Sequence, residues 1–279
     1  MDERKQRTEI RPSGIAEREL ERKLEKAAVT EASSDAVLIV GRGRLGGSIA
    51  GALTSVGGVV EVTGRDLDPA EAAGGIVLIC VPDDEIPAVV DRFATSADAP
   101  AVIGHTSGAT GLDILEAAGA TGGVFSLHPL QTVPDPATDL TGAPAAIAGS
   151  TTRSLEVARD LATRLGMLPF GVGEEARVLY HAAASIASNY LVTLEQEAAN
   201  LMELAGVEDA RTVLAPLARR SLENWIERGP DALTGPVARG DTETVARHRE
   251  ALSAESPDLL ELYDLLAERT ARLSAKEVS

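Results

Sequence analysis

The chain has 279 residues, long enough for two domains or one large one, and its 44% apolar and 25% charged residues describe a folded globular protein rather than a fibre. A formal net charge of −17 argues against nucleic acid or an anionic membrane as partner, because neither is drawn to such a surface, and an anionic cofactor then needs local positive charge. No apolar run approaches the roughly 20 residues that span a bilayer, and Met1 to Arg7 lacks the apolar core of a signal peptide, so a cytoplasmic location is expected.

Residues 1 to 34 are dense in acid and base around Glu17 to Lys26, and read as a disordered or loosely helical extension, with a partner-binding helix as the alternative. The apolar run Val37 to Val40 then reads as a buried strand. It breaks into Gly41-Arg-Gly43-Arg-Leu-Gly46, and a helix follows over Leu45–Val56. Strands are expected at Val59–Thr63, Ile76–Val81, Ala101–Gly104, Gly123–Ser126, Ala145–Ala148 and Pro169–Val172. Helices are expected from Pro82 to Phe93, over Gly111–Ala118 and over Thr152–Leu165. Such alternation implies a doubly wound parallel sheet with helices on both faces, a Rossmann-like α/β domain over 35–173. The single cysteine, Cys80, lies in an apolar run and fits a small buried residue in a reducing compartment, a reactive thiol being the alternative. After Gly173 strands give way to an all-helical domain, 174–279. Its first helix, Arg177–Ala205, draws its apolar pattern from Val178, Leu179, Ile186, Leu191, Leu194 and Leu201. Further helices are expected at Asp209–Arg228, where Pro216 threatens a kink, Thr242–Ser253 and Pro257–Leu273.

A strand, three spaced glycines and a helix form a pyrophosphate-binding turn. Gly41 permits the sharp bend, Gly43 the close approach of phosphate, and Gly46 close helix packing, while small Gly47, Ser48 and Ala50 suit a helix pressed on the sheet. Arg44 and Leu45 lie in the same turn. At the end of the second strand, Arg65 offers a charged fork for a 2′-phosphate, which points to NADP; alternatively Arg65 is a surface residue and Asp66 binds a ribose hydroxyl. Val81, Pro82 and His105 follow strand ends where they would wall the cofactor, although Val81-Pro82-Asp83 also suits a plain helix start. Ser107 and His128 lie just past strands too, and each histidine is either functional or a satisfied structural residue. No zinc-like His or Cys spacing is present, so no metal is expected.

On the first long helix His181, Ser185, Ser188 and Asn189 share one face at α-helical spacing. That stripe meets either another helix's backbone or a substrate. His181 has the intrinsic pKa of a proton donor. Arg239, in the loop before a helix capped by Asp241 or Thr242, is either a carboxylate clamp or a solvated loop residue.

Taken with His105-Thr-Ser-Gly108, Phe125-Ser-Leu-His-Pro-Leu-Gln-Thr132, Tyr180 to Tyr190 and Leu233 to Asp241, the glycine turn resembles bacterial Rossmann-like proteins whose C-terminal helical domain has no known function. These are similar in layout to pyrroline-5-carboxylate reductase, to deazaflavin-dependent NADP oxidoreductases and to the 6-phosphogluconate dehydrogenase superfamily. The resemblance spans about residues 36 to 273. It implies an NADP oxidoreductase acting on a small carboxylate, a homodimer, and, since some relatives resemble an alternative ketopantoate reductase, reduction of a 2-oxo acid. An imine reductase and a non-catalytic NADP-binding regulator are the alternatives. One departure stands out: the hydroxyacid dehydrogenases of that superfamily carry a catalytic lysine on the first long C-terminal helix, and here Arg177 to Leu204 contains none.

Overall fold

A computed structural model describes residues 36–64 and 66–275; the charged segment 1–34 and Arg65 lie outside the described residues. Seven strands, β1 (Val37–Val40), β2 (Val60–Thr63), β3 (Ile76–Ile79), β4 (Val102–His105), β5 (Val124–Pro129), β6 (Pro144–Gly149) and β7 (Leu168–Gly171), form one sheet in the order β2-β1-β3-β4-β5-β6-β7. The doubly wound α/β sheet is as expected, with one correction. β5 and β6 pair antiparallel, whereas every other neighbouring pair is parallel. A parallel return needs a crossover, usually helical, and the segment between them, interrupted by Pro134 and Pro136, forms no helix.

Alternation along each strand divides the apolar side chains between two cores. Val37 and Ile39 face Ile49 and Leu53 of α1 (Arg44–Ser55) and Leu161 of α3 (Thr152–Arg164). Leu38 and Val40 face Ile86, Val89 and Phe93 of α2 (Ile86–Ala94), together with Leu115. Leu115 belongs to a 3₁₀ helix, Asp113–Ala118, where an α-helix was expected; Gly119, in the left-handed region at φ 66°, stops it before α-geometry can be sustained.

The glycine turn is built by contact. Gly41 has φ +124°, and a Cβ there would stand 2.5 Å from the Cys80 carbonyl oxygen. A Cβ on Gly46 would stand 2.0 Å from the carbonyl oxygen of Gly41. The first turn of α1 therefore meets the ends of β1 and β3 through bare backbone. Gly47 and Ser48 do something other than press on the sheet. A Cβ on Gly47 would meet Pro136 at 2.7 Å, and the Ser48 hydroxyl donates to the Asp135 carbonyl at 3.2 Å, so both hold the β5–β6 connection against α1.

The chain divides into two compact units, one ending at Ala184 and the other beginning at Ser185. Around that boundary lie α4 (Arg177–Ser185), a π-helical stretch Ile186–Tyr190 and α5 (Leu191–Leu204). The π stretch corrects the expected polar stripe: it takes more residues per turn than an α-helix, so the spacing that aligned His181, Ser185, Ser188 and Asn189 does not carry through it. α6 (Ala210–Arg228) runs unbroken through Pro216, and the Asp241 side chain accepts from the Thr244 N–H to cap α7 (Thr242–Glu255). Bidentate Arg249–Asp264 bonds of 2.7 and 2.9 Å tie α7 to α8 (Pro257–Ala275). The apolar pattern of the first long helix stays largely uncovered, with Val178, Leu179, Ile186, Leu191 and Leu194 all exposed. Among the described residues, no helix is long and apolar enough to cross a membrane.

Two glycines of α1 should respond in opposite ways to the same methyl group. Gly46→Ala, which forces backbone apart, should lower stability by about 1–3 kcal/mol. Gly51→Ala, where a Cβ meets nothing within 4 Å, should raise it by about 0.5–1 kcal/mol. Chemical denaturation of both variants measures the contrast.

Candidate active site

Strand order reverses between β1 and β3, and in such sheets a crevice opens beyond the carboxyl ends of the strands. A cavity of about 540 Å³ lies there. It is lined by Gly43, Arg44 and Leu45 after β1, Cys80 to Asp83 after β3, Thr106 to Gly108 after β4, and His128, Pro129, Gln131 and Val133 at and after the end of β5, with His181 of α4. Gly43 is the N-cap residue of α1 and supplies no side-chain cap, the first turn carries no acidic residue, and a Cβ on Gly43 would meet nothing within 4 Å. No contact among the described residues requires glycine at that position. An open helix N-terminus with unpaired N–H groups suits an anion, and the exposed Arg42 and Arg44 add positive charge beside it.

At the far side two imidazoles converge. The rings of His128 and His181 stand edge to face with centroids 5.6 Å apart. A Cβ placed on Gly108 would lie 2.5 Å from His181 Cδ2 and 2.9 Å from His128 Nε2, too close for any side chain, so both rings close onto the bare backbone of Gly108. The other nitrogen of His128, Nδ1, lies 2.7 Å from the Tyr180 hydroxyl, and Tyr180 packs edge-on against Phe170. Burial, then the neighbouring His181 and Arg177, push the His128 pKa down to about 4, so the ring is neutral at pH 7. Desolvation raises the Tyr180 phenol above its ordinary value, and it too stays protonated.

Ser107 is oriented for support rather than for ligand. Its hydroxyl donates to Asp83 at 2.7 Å and accepts from the N–H groups of Ala109 and Thr110 at 3.2 and 2.9 Å. Burial pushes the Cys80 thiol up to about 12 against a weaker opposing bond with Thr106, which keeps it from acting as a thiolate.

Beneath the cavity Arg177 is 3% exposed. Its Nη2 donates to Ser126 Oγ at 2.8 Å and pairs with Glu174 at 2.6 Å, while the second oxygen of Glu174 accepts from the Leu112 N–H at 3.0 Å. Partial burial pushes the Glu174 carboxyl up, but the bonds from Arg177 and Leu112 outweigh this and hold it below its ordinary value. His105 is fully buried, bonds the Gly111 carbonyl through Nε2 at 3.2 Å, and does not line the cavity. Burial, assisted by Arg177, lowers its pKa. The ring is enclosed, yet its Nδ1 is buried with no hydrogen-bond partner among the described residues, so it is not the fully satisfied structural histidine of the second reading.

The cavity thus collects Gly43, Arg44, Leu45, Val81, Pro82, Ser107, His128 and His181, while Gly41 and Gly46 shape the turn from behind. Arg65 lies outside the described residues. Its alternative, Asp66, is paired on the surface with Arg92 at 3.1 Å. Ser185, Ser188, Asn189 and Arg239 belong to the second unit, where Arg239 is exposed and donates to the Thr234 carbonyl of its own loop. Two residues that build the site, Arg177 and Tyr180, escaped the sequence reading as functional positions, whereas Asp83, read with Val81 and Pro82 as cofactor wall or helix start, lines the cavity. For Tyr180 the signal was its place immediately before His181; nothing local marks the contact of Arg177 with Ser126, 51 residues away.

Residues 65–129 match the model of a Rossmann-like domain, and residues 143–270 match a domain of unknown function, DUF2520. The chain is thus similar to Rossmann-like domains in its first part and to DUF2520 domains in its second. The DUF2520 match begins just before β6, so it includes the last two strands and α3 as well as the helices that follow. A presumed NADP oxidoreductase from Bacteroides fragilis shares 21% identity over 86% of this chain and 99% of its own, with a TM-score of 0.70. Protein TM1727 from Thermotoga maritima shares 23% over 87% of this chain and all of its own, also at 0.70. Pyrroline carboxylate reductase from Plasmodium falciparum, solved with NADP bound, shares 13% over 86% of this chain and all of its own, at 0.56. At these identities the likeness establishes the fold. No curated protein matches the chain.

The depressed histidine makes the Rossmann-like unit acid-sensitive. With a folded pKa of about 4 against the ordinary 6.5, His128 takes up its proton earlier in the unfolded chain. It therefore destabilises the fold as pH falls from about 6.5 to about 4, and contributes nothing above that window. Melting temperatures across pH 7.5 to 4.5 should fall, and should fall less in His128→Gln.

Proposed function

We propose that the protein is an NADP(H)-dependent oxidoreductase that reduces a small 2-oxo acid, ketopantoate being the first substrate to try. The observation that carries the reading is one cavity joining a glycine turn with an open helix N-terminus to a pair of histidines that meet at Gly108. The turn fits a dinucleotide pyrophosphate, because Gly43 leaves room that none of the described residues uses. Bound NADPH would supply a hydride to the carbonyl carbon. The chain's own groups then have two tasks. A hydrogen-bond donor must stabilise the charge growing on the carbonyl oxygen, and an acid must deliver the proton that completes the alcohol. Neutral His128 suits the first and His181 the second. With no lysine on the first long helix, this division between imidazoles replaces a lysine mechanism. The choice of NADP rests on Arg65 and on Asp66 being paired with Arg92. A cyclic-imine substrate, as in the pyrroline carboxylate reductase of similar fold, is the second reading, since Asp83 on the cavity wall would favour a cationic iminium.

Purified protein assayed with NADPH and NADH against 2-oxo acids and cyclic imines should show NADPH-dependent reduction of a 2-oxo acid. His181→Ala should cut kcat by about 10² to 10⁴. Arg65→Ala should lower the preference for NADPH by about ten- to a hundred-fold, the worth of a charge-assisted phosphate contact. Tight NADPH binding with no turnover on any substrate would leave a cofactor-binding regulator instead.

We further infer a homodimer formed through the second unit. Among its described residues only Ala199, Ala210 and Leu252 are buried apolar side chains, while Trp225, Ile226, Leu217 and Val192 are 60% or more exposed. Apolar area on that scale is characteristic of a surface that another chain covers. Sedimentation equilibrium should give twice the chain mass, and Trp225→Glu with Ile226→Glu should shift it to the monomer.

A further inference from the structure

We propose that Tyr180 is a positioning residue that fixes His128 with its proton on Nε2, so that this N–H is offered to the substrate's carbonyl oxygen at the cavity wall shared by His128, Gly108 and His181. The substrate clause rests on the oxidoreductase reading; the tautomer does not.

The argument begins with the 2.7 Å contact between Tyr180 Oη and His128 Nδ1. Two protonation patterns could satisfy it. Either the phenol donates to a bare Nδ1, or Nδ1–H donates to the phenol oxygen. A phenol is a much stronger hydrogen-bond donor than a neutral imidazole, and an imidazole nitrogen is a much stronger base than a phenol oxygen, so donation from Tyr180 is the better matched arrangement. In a neutral ring the single proton then sits on Nε2, because the bond made by one ring nitrogen sets the state of the other.

The ring's surroundings keep it neutral. His181, Arg177 and His105 each disfavour a further positive charge, Asp83 alone favours it, and burial outweighs that attraction. Tyr180 is held in turn by its edge contact with Phe170, ring centroids 6.0 Å apart. Nε2 is the nitrogen on the Gly108 side of the ring, and Gly108, His128 and His181 all line the cavity. A neutral, fixed N–H at this point can bind an oxygen both before and after it gains negative charge, and gives up no proton of its own. Delivery of the proton is left to His181. Tyr180 thereby separates the tasks of two otherwise similar rings.

Nitrogen-15 correlation spectra of the histidine side chains at pH 7 read the tautomer directly. The chain has only four histidines, and the signals lost in His128→Gln assign the ring. Wild-type His128 is expected as the Nε2–H tautomer. Tyr180→Phe keeps the ring against Phe170 while removing the donor; it should mix the tautomers and lower kcat by about ten-fold or more, with the KM for NADPH changed less than about two-fold. A wild-type ring that carries its proton on Nδ1, or is charged at pH 7, overturns the proposal, as does a Tyr180→Phe protein with unchanged tautomer and kcat. Absence of any wild-type turnover would remove the oxidoreductase reading and the substrate clause with it, whereas an Nε2–H tautomer that is lost in Tyr180→Phe would still establish the positioning.

Discussion

The approach of α1 to the carbonyl of Gly41 is the constraint on which the site depends. Helix and strand meet where two Cβ atoms are missing, and the room left is too small for either. That contact sets the direction of α1, places its uncapped N-terminus at the carboxyl edge of the sheet, and leaves Gly43 projecting into open space. Gly47 and Ser48 extend the same economy of size to the other side, where the β5–β6 connection closes over the helix. A turn that is tight behind and open in front is what a binding site for a pyrophosphate requires.

Electrostatics inside the first unit run against the acidic character of the whole chain. Arg177 is almost fully buried, and its charge is tolerated because Glu174 and Ser126 meet it. It lies close enough to His105 and His128 to help keep both rings neutral, which would otherwise be harder in a protein of net charge −17. A buried cation under neutral imidazoles makes their N–H groups the available donors, and polar groups fixed in advance are worth more than groups that must reorient. The supporting residues are tied down in the same manner, Ser107 by Asp83 and the turn at Ala109–Thr110, His105 by the Gly111 carbonyl.

Much of this was legible in the chain. Every strand was expected close to its observed place, because β-branched and aliphatic runs of four to six residues between turn signals have few other uses. The roles of Gly41 and Gly46 in the turn followed from spacing alone. What failed did so where local pattern is silent. The antiparallel β6 depends on what the β5–β6 connection cannot form, and the polar stripe from His181 assumed uniform α-geometry across a stretch that becomes π-helical at Ile186. His105 and His128 looked alike in sequence, each at the end of a strand. Only burial separates them, since one ring is enclosed against Gly111 and the other reaches the cavity.

By itself the sequence determined the fold class, the position of the glycine turn and the net charge, because each is a property of residue type and near-neighbour spacing. It also supplied Arg65, whose part in choosing NADP remains a reading of sequence. The tertiary structure decided which polar residues meet. Gly108 between two imidazoles, Tyr180 on His128, and Arg177 near His128 join segments 20 to 73 residues apart. Such contacts arise when strands far apart in the chain become neighbours in the sheet, and no periodicity within a single helix or strand encodes them.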